Sequence, residues 1–182
     1  MKVNAPSAWH PAPVCAPVDI RWWLRHRDSL TRLLQAHSEH FRVEPVFQAL
    51  AAACIDELAI MNLRWGVRAL VREVYLRCDD MPVVFAHSVV KPAHLQGAWR
   101  GLSRLGNQSL GTMLFTNPLI RRTPFEYKQL KPHHPLFARA CEQLSDRPMS
   151  LWARRSLFTL QDQPLLVTEV FLPAIRQLRA AE

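Results

Sequence analysis

Glycine is scarce in this sequence, five residues in 182, against the roughly 7 % usual for soluble proteins. Two of the five, Gly106 and Gly111, fall in LGNQSLG at residues 105–111. That stretch lacks the Lys-Ser/Thr ending of a phosphate-binding loop and reads as a tight helix-to-helix connection. Cysteine is sparse too. Cys15, Cys54, Cys78 and Cys141 lie far apart, with no CxxC pair and no histidine at zinc-finger spacing, so free reduced thiols are expected. No run is long and uncharged enough for a membrane helix. Pro6, Pro11, Pro13 and Pro17 interrupt any signal-peptide core in the first twenty residues, and the expected location is the cytoplasm. There is no internal repeat.

Acidic residues are the minority charge, 15 against 23 basic ones, for a net charge of +8 and a pI near 10.0. Such a surplus suits either nucleic acid or an anionic small substrate. The basic residues run from Lys2 to Arg179 without a dense cluster, and no helix-turn-helix or RRM signature is visible, which disfavours nucleic acid. The composition itself, 49 % hydrophobic and 21 % charged, is that of a globular protein. It implies a Pro-rich extension at residues 1–18 followed by one domain at 19–182.

Asp19 is placed to cap a short helix carrying Ile20, Trp23 and Leu24, and Ser29 to cap a second carrying Leu30, Leu33 and Leu34. FRVEPVFQAL, residues 41–50, begins with strand alternation, whereas AAACIDELAIM after it suits a helix or a packed connection equally. RALVREVYLRC and PVVFAHSVV form a hairpin across residues 78–81, and LWARRSLFTL and PLLVTEVFLP form another across 161–163. Between them HLQGAWRGLSRLG predicts a helix ending at Gly106, and residues 121–127 are a candidate strand. Strands in hairpins with helices in separate blocks argue for α+β with a single antiparallel sheet.

Two charges are out of place on these strands. Glu169 shares a face with Leu165, Val167 and Phe171, and Arg72 shares one with Leu70, Val74 and Leu76. An isolated buried charge is costly, so the two either pair with each other or await a charged ligand, unless edge strands leave them wet. His87, among Val83, Phe85 and Val89, is a candidate third ligand contact or acid/base, or a satisfied core histidine. His37 and His40, and the pair in KPHHP, lack the companions of a metal site. Arg154 and Arg155 project to opposite faces, so at most one is expected to face inward and the other to be solvated.

REVYLRCDDMPVVFAHSVV, LSRLGNQSLGTMLF and LWARRSLFTLQDQPLLVTEVFLPA resemble, in order and spacing, the bacterial chorismate pyruvate-lyase family, over residues 21–174. The resemblance implies helices across one antiparallel sheet and flaps enclosing an internal ligand. It further implies conversion of chorismate to 4-hydroxybenzoate and pyruvate at the head of ubiquinone synthesis, with no metal or organic cofactor, and a monomer inhibited by its product. By position, Arg72 matches the arginine on the ring carboxylate and Glu169 the acid near the ring hydroxyl, the two expected catalytic groups. Leu30 and Leu110 match pocket-lining positions. His87 stands where the best-known members have arginine, a change that implies either weaker anchoring of the enolpyruvyl carboxylate or a contact made instead by protonated His87, Arg122 or Arg155. The same fold resembles effector-binding domains of bacterial transcription regulators. A non-catalytic sensor is therefore the rival reading, although only about twenty residues precede the first helix, too few for a helix-turn-helix module.

Overall fold

The structure, a computed structural model, describes residues 8–178. Helices α1 (Val18–Arg25) and α2 (Leu30–Ala36) precede strand β1 (Phe41–Ala52), the short α3 (Ile55–Leu58), and the hairpin of β2 (Arg68–Cys78) and β3 (Met81–Val90). Then come 3-10 turns at Pro92–Gln96 and Leu102–Arg104, helix α4 (Leu110–Thr116), and strands β4 (Arg121–Arg122) and β5 (Glu126–Leu130). Helix α5 (Pro135–Ala140), the hairpin of β6 (Leu151–Leu160) and β7 (Gln163–Phe171), and a 3-10 turn at Pro173–Gln177 close the order. The seven strands form one antiparallel sheet, β1-β2-β3-β7-β6-β4, with β5 also paired to β6.

Both hairpins turn without glycine. Asp79 and Asp80 have φ of 49° and 66°, and Gln161 and Asp162 have 51° and 57°, the left-handed pair that a type I′ turn requires. Aspartate tolerates that region better than most residues, so these turns are affordable in a glycine-poor chain. The two hairpins differ in one respect. β6 and β7 run in unbroken register, with Arg154 opposite Glu169, whereas β2 and β3 slip by one residue between Leu76 and Arg77.

That slip decides which side chains meet. Beyond it Arg72 faces Ser88 and Glu73 faces His87, and a one-residue shift sends a side chain to the other face of the sheet. Arg72, Ser88, Val167, Glu169 and Arg154 therefore share the front face. Glu73, His87, Thr168 and Arg155 share the back.

Helices cover both faces. On the front, Trp23, Leu24 and Leu34 pack on Val74, Leu76 and Phe171, and Trp99, Leu102 and Leu114 pack on Leu70, Phe158 and Leu165. On the back, Leu136 and Phe137 of α5 cover Tyr75, Phe85 and Val170, while Met61 covers Val71, Val89 and Leu166. Each such side chain contributes about 1.5–3 kcal/mol of burial. The space between the two front clusters is left for the polar residues.

Several expectations need correction. Pro17, not Asp19, precedes α1, and Asp19 lies in its first turn, 3.0 Å from Arg176. Ser29 does cap α2, accepting a bond from Arg32 N. Residues 94–106 are two 3-10 turns rather than one helix, because the backbone of Gly97 leaves the helical region. Residues 121–127 divide into β4 and the start of β5, with Pro124 between them. The open segment after residue 50 continues as strand to Ala52, then α3 begins behind Cys54. Part of the Pro-rich stretch packs on the sheet, with His10 bridging Tyr127 and Ala16 buried.

Candidate active site

Between the front clusters lies a closed chamber of about 50 Å³, lined by Leu30, Arg72, Ser88, Leu110, Phe158 and Glu169 among others. A second lobe of about 20 Å³ adjoins it, sharing Phe115, Phe158 and Glu169 in its wall and lined further by Arg122 and Arg154. Outside, between α2, β1 and the 101–113 segment, is an open cleft of about 810 Å³. Thr31 and Ser109 line both cleft and chamber, and their hydroxyl oxygens are 2.5 Å apart. This hydrogen bond latches α2 to the N-terminus of α4. Gly111 permits it, since a Cβ there would sit 2.6 Å from Thr31 Oγ1.

Arg72 is 3 % exposed. Its Nη2 donates to the carbonyls of Gly106 (3.0 Å) and Gln108 (3.1 Å), and Gly106 reaches that position through a left-handed φ of 50°. Its Nε is buried without a partner, and burial lowers its pKa. A guanidinium held by neutral carbonyls alone keeps its full charge uncompensated, so the chamber has an anion-binding end. The expected direct pair with Glu169 does not form. Glu169 Oε2 accepts from Arg154 Nε at 2.5 Å, and Arg154, 1 % exposed, also donates through Nη1 to the carbonyls of Trp23, Leu24 and His26. Two strand spacings and two residues separate Arg72 from Glu169, roughly 12 Å between Cα atoms. With both side chains reaching inward, that span suits a ring bearing a polar group at each end.

The structure removes two candidates from the chamber. His87 is on the back of the sheet, 1 % exposed, with Nδ1 2.8 Å from Glu73 Oε1. Its Nε2 lies 3.1 Å from Glu57 Oε1, an ion-pair contact whose geometry falls short of a directed hydrogen bond. Burial would lower its pKa, but Glu57 and Glu73 outweigh burial and hold it at about 9. His87 is an imidazolium between carboxylates, and it cannot touch a ligand on the front. Arg155 is likewise on the back, bonded to Glu126 Oε2 (2.7 Å) and the Asp56 carbonyl (2.9 Å). Neither β6 arginine is solvated, because both faces of that strand are covered.

Cys54, Glu57 and His87 place ligand-type atoms within 4.8 Å of one another, the one such group among the described residues. Their chemistry does not suit a cation. Both His87 nitrogens already face carboxylates, and burial, with Glu57 beside it, pushes the Cys54 thiol well above its usual range. With Arg139 on Glu73, Glu57, Glu73, His87 and Arg139 balance as two negative and two positive groups.

A family model described as chorismate lyase matches residues 6–179. The chain belongs to the chorismate lyase family. Relatives carrying the name probable chorismate pyruvate-lyase include one from Nitrosomonas europaea, 76 % identical, with 98 % of this chain and 100 % of that protein covered. Another, from Nitrosospira multiformis, is 60 % identical, covering 94 % and 96 %. Among solved structures, PhnF from Mycobacterium smegmatis superposes with a TM-score of 0.59 at 14 % identity, over 87 % of this chain and 69 % of that one. A PhnF C-terminal domain gives 0.57 at 17 %, over 80 % and 93 %. These two show the fold alone.

Within this lyase-family fold, Leu30 and Leu110 sit in the chamber wall beside Arg72 and Glu169. Arg154 is an inward-facing arginine of β6, but its pairing with Glu169 is not among the expectations from the sequence. Its signal was available, since positions equidistant from a two-residue turn at 161–162 face each other. The Thr31 to Ser109 latch joins residues 78 apart and has no local signature.

Proposed function

We propose that the protein converts chorismate to 4-hydroxybenzoate and pyruvate. One observation carries the reading: in a chain of this family, an arginine with a spare donor and a carboxylate with a spare oxygen face one enclosed chamber whose other lining is mostly apolar, with the hydroxyls of Thr31, Ser88 and Ser109. Arg72 holds the ring carboxylate. Glu169 engages the ring hydroxyl with the oxygen that Arg154 does not use.

The reaction is an elimination. The ether bond from the ring to the enolpyruvyl group breaks, the hydrogen on the hydroxyl-bearing carbon leaves as a proton, and the ring becomes aromatic. The departing enolpyruvate gains a proton to become pyruvate, and no electrons are exchanged with a second reactant. Aromatisation supplies the driving force, so the protein's work is to hold the eliminating conformer and move a proton. Glu169, at the hydroxyl end, takes part in that transfer, and Arg154 fixes its direction. The fold's covered chamber makes departure of the aromatic product slow, so turnover is limited by release and inhibited by 4-hydroxybenzoate. The product enters ubiquinone synthesis, and the enzyme acts as a cytoplasmic monomer.

The test is to mix purified protein with chorismate in the presence of a chelator and to quantify both products by chromatography. Equal amounts of 4-hydroxybenzoate and pyruvate are expected. Absence of both, with either compound still binding in calorimetry, would convert the reading to a non-catalytic sensor.

A further inference from the structure

The second lobe of the chamber contains a cation that the fold does not explain. Arg122 is on β4, opposite Phe158 of β6, and its guanidinium lies over the rings of Phe125 at 4.5 Å and Phe115 at 5.6 Å. Among the described residues it has no hydrogen-bonded carbonyl and no ion-paired carboxylate. Burial lowers its pKa, and Arg154 beside it lowers it further, while Glu169 and Asp28 act in the opposite sense. Asp28 also lines this lobe, but its side chain is 91 % exposed. Two ring faces compensate a guanidinium only in part.

The charges of the two lobes do not balance. Arg72, Arg122 and Arg154 stand against Glu169 as the one enclosed carboxylate. The surplus of two positive charges matches a dianion and exceeds what 4-hydroxybenzoate brings. The two unpaired cations lie at opposite ends, Arg72 in the first lobe and Arg122 in the second, with Glu169 at the junction.

The geometry points to Arg122 as the anchor for the second carboxylate of the substrate, the one on the three-carbon group that leaves as pyruvate. This rests on the lyase reading above and assigns the contact that neither His87 nor Arg155 can make from the back of the sheet. The ring occupies the first lobe between Arg72 and Glu169, and the enolpyruvyl arm extends past Glu169 into the second. Arg122 is thus a substrate-binding residue that the aromatic product does not touch. It distinguishes substrate from product, because the carboxylate it holds departs with the other fragment.

The experiment compares wild type with Arg122→Ala and Arg122→Lys in three measurements: chorismate saturation kinetics, calorimetric titration with 4-hydroxybenzoate, and thermal melting. Loss of a charge-assisted contact should raise the chorismate KM by about 10- to 100-fold in Arg122→Ala. Affinity for 4-hydroxybenzoate should stay within about twofold, and the melting temperature should hold or rise as an unpaired, half-buried cation is removed. Arg122→Lys, which restores the charge, should recover part of the KM. An unchanged KM, a parallel loss of 4-hydroxybenzoate affinity, or a fall in melting temperature would overturn the assignment and make Arg122 a packing residue. If wild type itself makes no product, the lyase reading fails separately. Calorimetry with chorismate then decides Arg122, because equal chorismate affinity in wild type and Arg122→Ala would reject it.

Discussion

The back of the sheet buries more charged side chains than the front, and the two faces treat them differently. On the back, Glu57, His87, Glu73 and Arg139 neutralise one another, and Asp56 accepts from Trp9, Lys128 and His134. On the front, Arg154 and Glu169 pair, but Arg72 rests on carbonyls with its Nε unmet and Arg122 rests on phenyl rings. Mutual neutralisation marks charges that serve the fold. Leftover charge beside a cavity marks charges that await a ligand. Burial alone would have ranked His87 with Arg72.

The largest effect expected from breaking this contrast is on the front. Arg72→Ala and Glu169→Gln should each cut kcat/KM about 10²- to 10⁴-fold; Arg72→Ala should leave the unfolding midpoint near wild type, whereas Glu169→Gln, which takes the carboxylate from the buried Arg154, should lower it. A folded variant with full activity would remove that residue from the mechanism. On the back the signs reverse. His87→Leu leaves Glu57 and Glu73 buried without their cation, a loss of about 3–5 kcal/mol visible in urea denaturation. Activity per folded molecule should then change by less than a few-fold.

The pH dependence of stability sharpens the same contrast. The folded pKa of His87 is about 9, above its ordinary 6.5, so its contribution is complete below pH 6.5 and lost as the pH rises through 9. The shift corresponds to about 3 kcal/mol. Asp56 has the opposite sign. Burial would raise its pKa, but hydrogen bonds from His134, Lys128 and Trp9 hold it below the usual carboxylate range. Its contribution is present at neutral pH and lost only in strong acid. Urea midpoints for wild type and His87→Leu should therefore converge between pH 7 and 10. Parallel curves would refute the imidazolium.

The smallest expected effect concerns the latch. Thr31→Val removes one hydrogen bond to Ser109, worth about 1 kcal/mol, and should speed 4-hydroxybenzoate release up to about fivefold in stopped-flow. An unchanged release rate would place the exit elsewhere.

Much of this was legible in the residues. The two hairpins announced themselves through β-branched runs and Asp-rich turns, and Glu169 and Arg72 through charge on apolar faces. The bulge after Leu76 was not legible, because a slip by one residue changes no composition. In the unslipped register Arg72 would have faced His87, and the histidine would have belonged to the site. Helix α5 was missed because Lys131 to Pro135 looks like a loop, while in the structure His134 caps that helix by accepting from Leu136 N. The alternation of Arg154 and Arg155 was legible, but the covering of Arg155 on the back depends on Trp9, Asp56 and Glu126 gathering around it, a tertiary fact with no local trace. Arg122 was one of three candidates for the second carboxylate contact until the position of its neighbours showed it unpaired.

The most direct test of the division between the two faces is calorimetric titration of 4-hydroxybenzoate into wild type, Arg72→Ala and His87→Leu, each at a temperature where it is folded. Binding is expected in wild type and His87→Leu with similar affinity, and loss of at least about tenfold in Arg72→Ala. Retained affinity in Arg72→Ala, or its loss in folded His87→Leu, would contradict the assignment of the front charges to the ligand and the back charges to the fold.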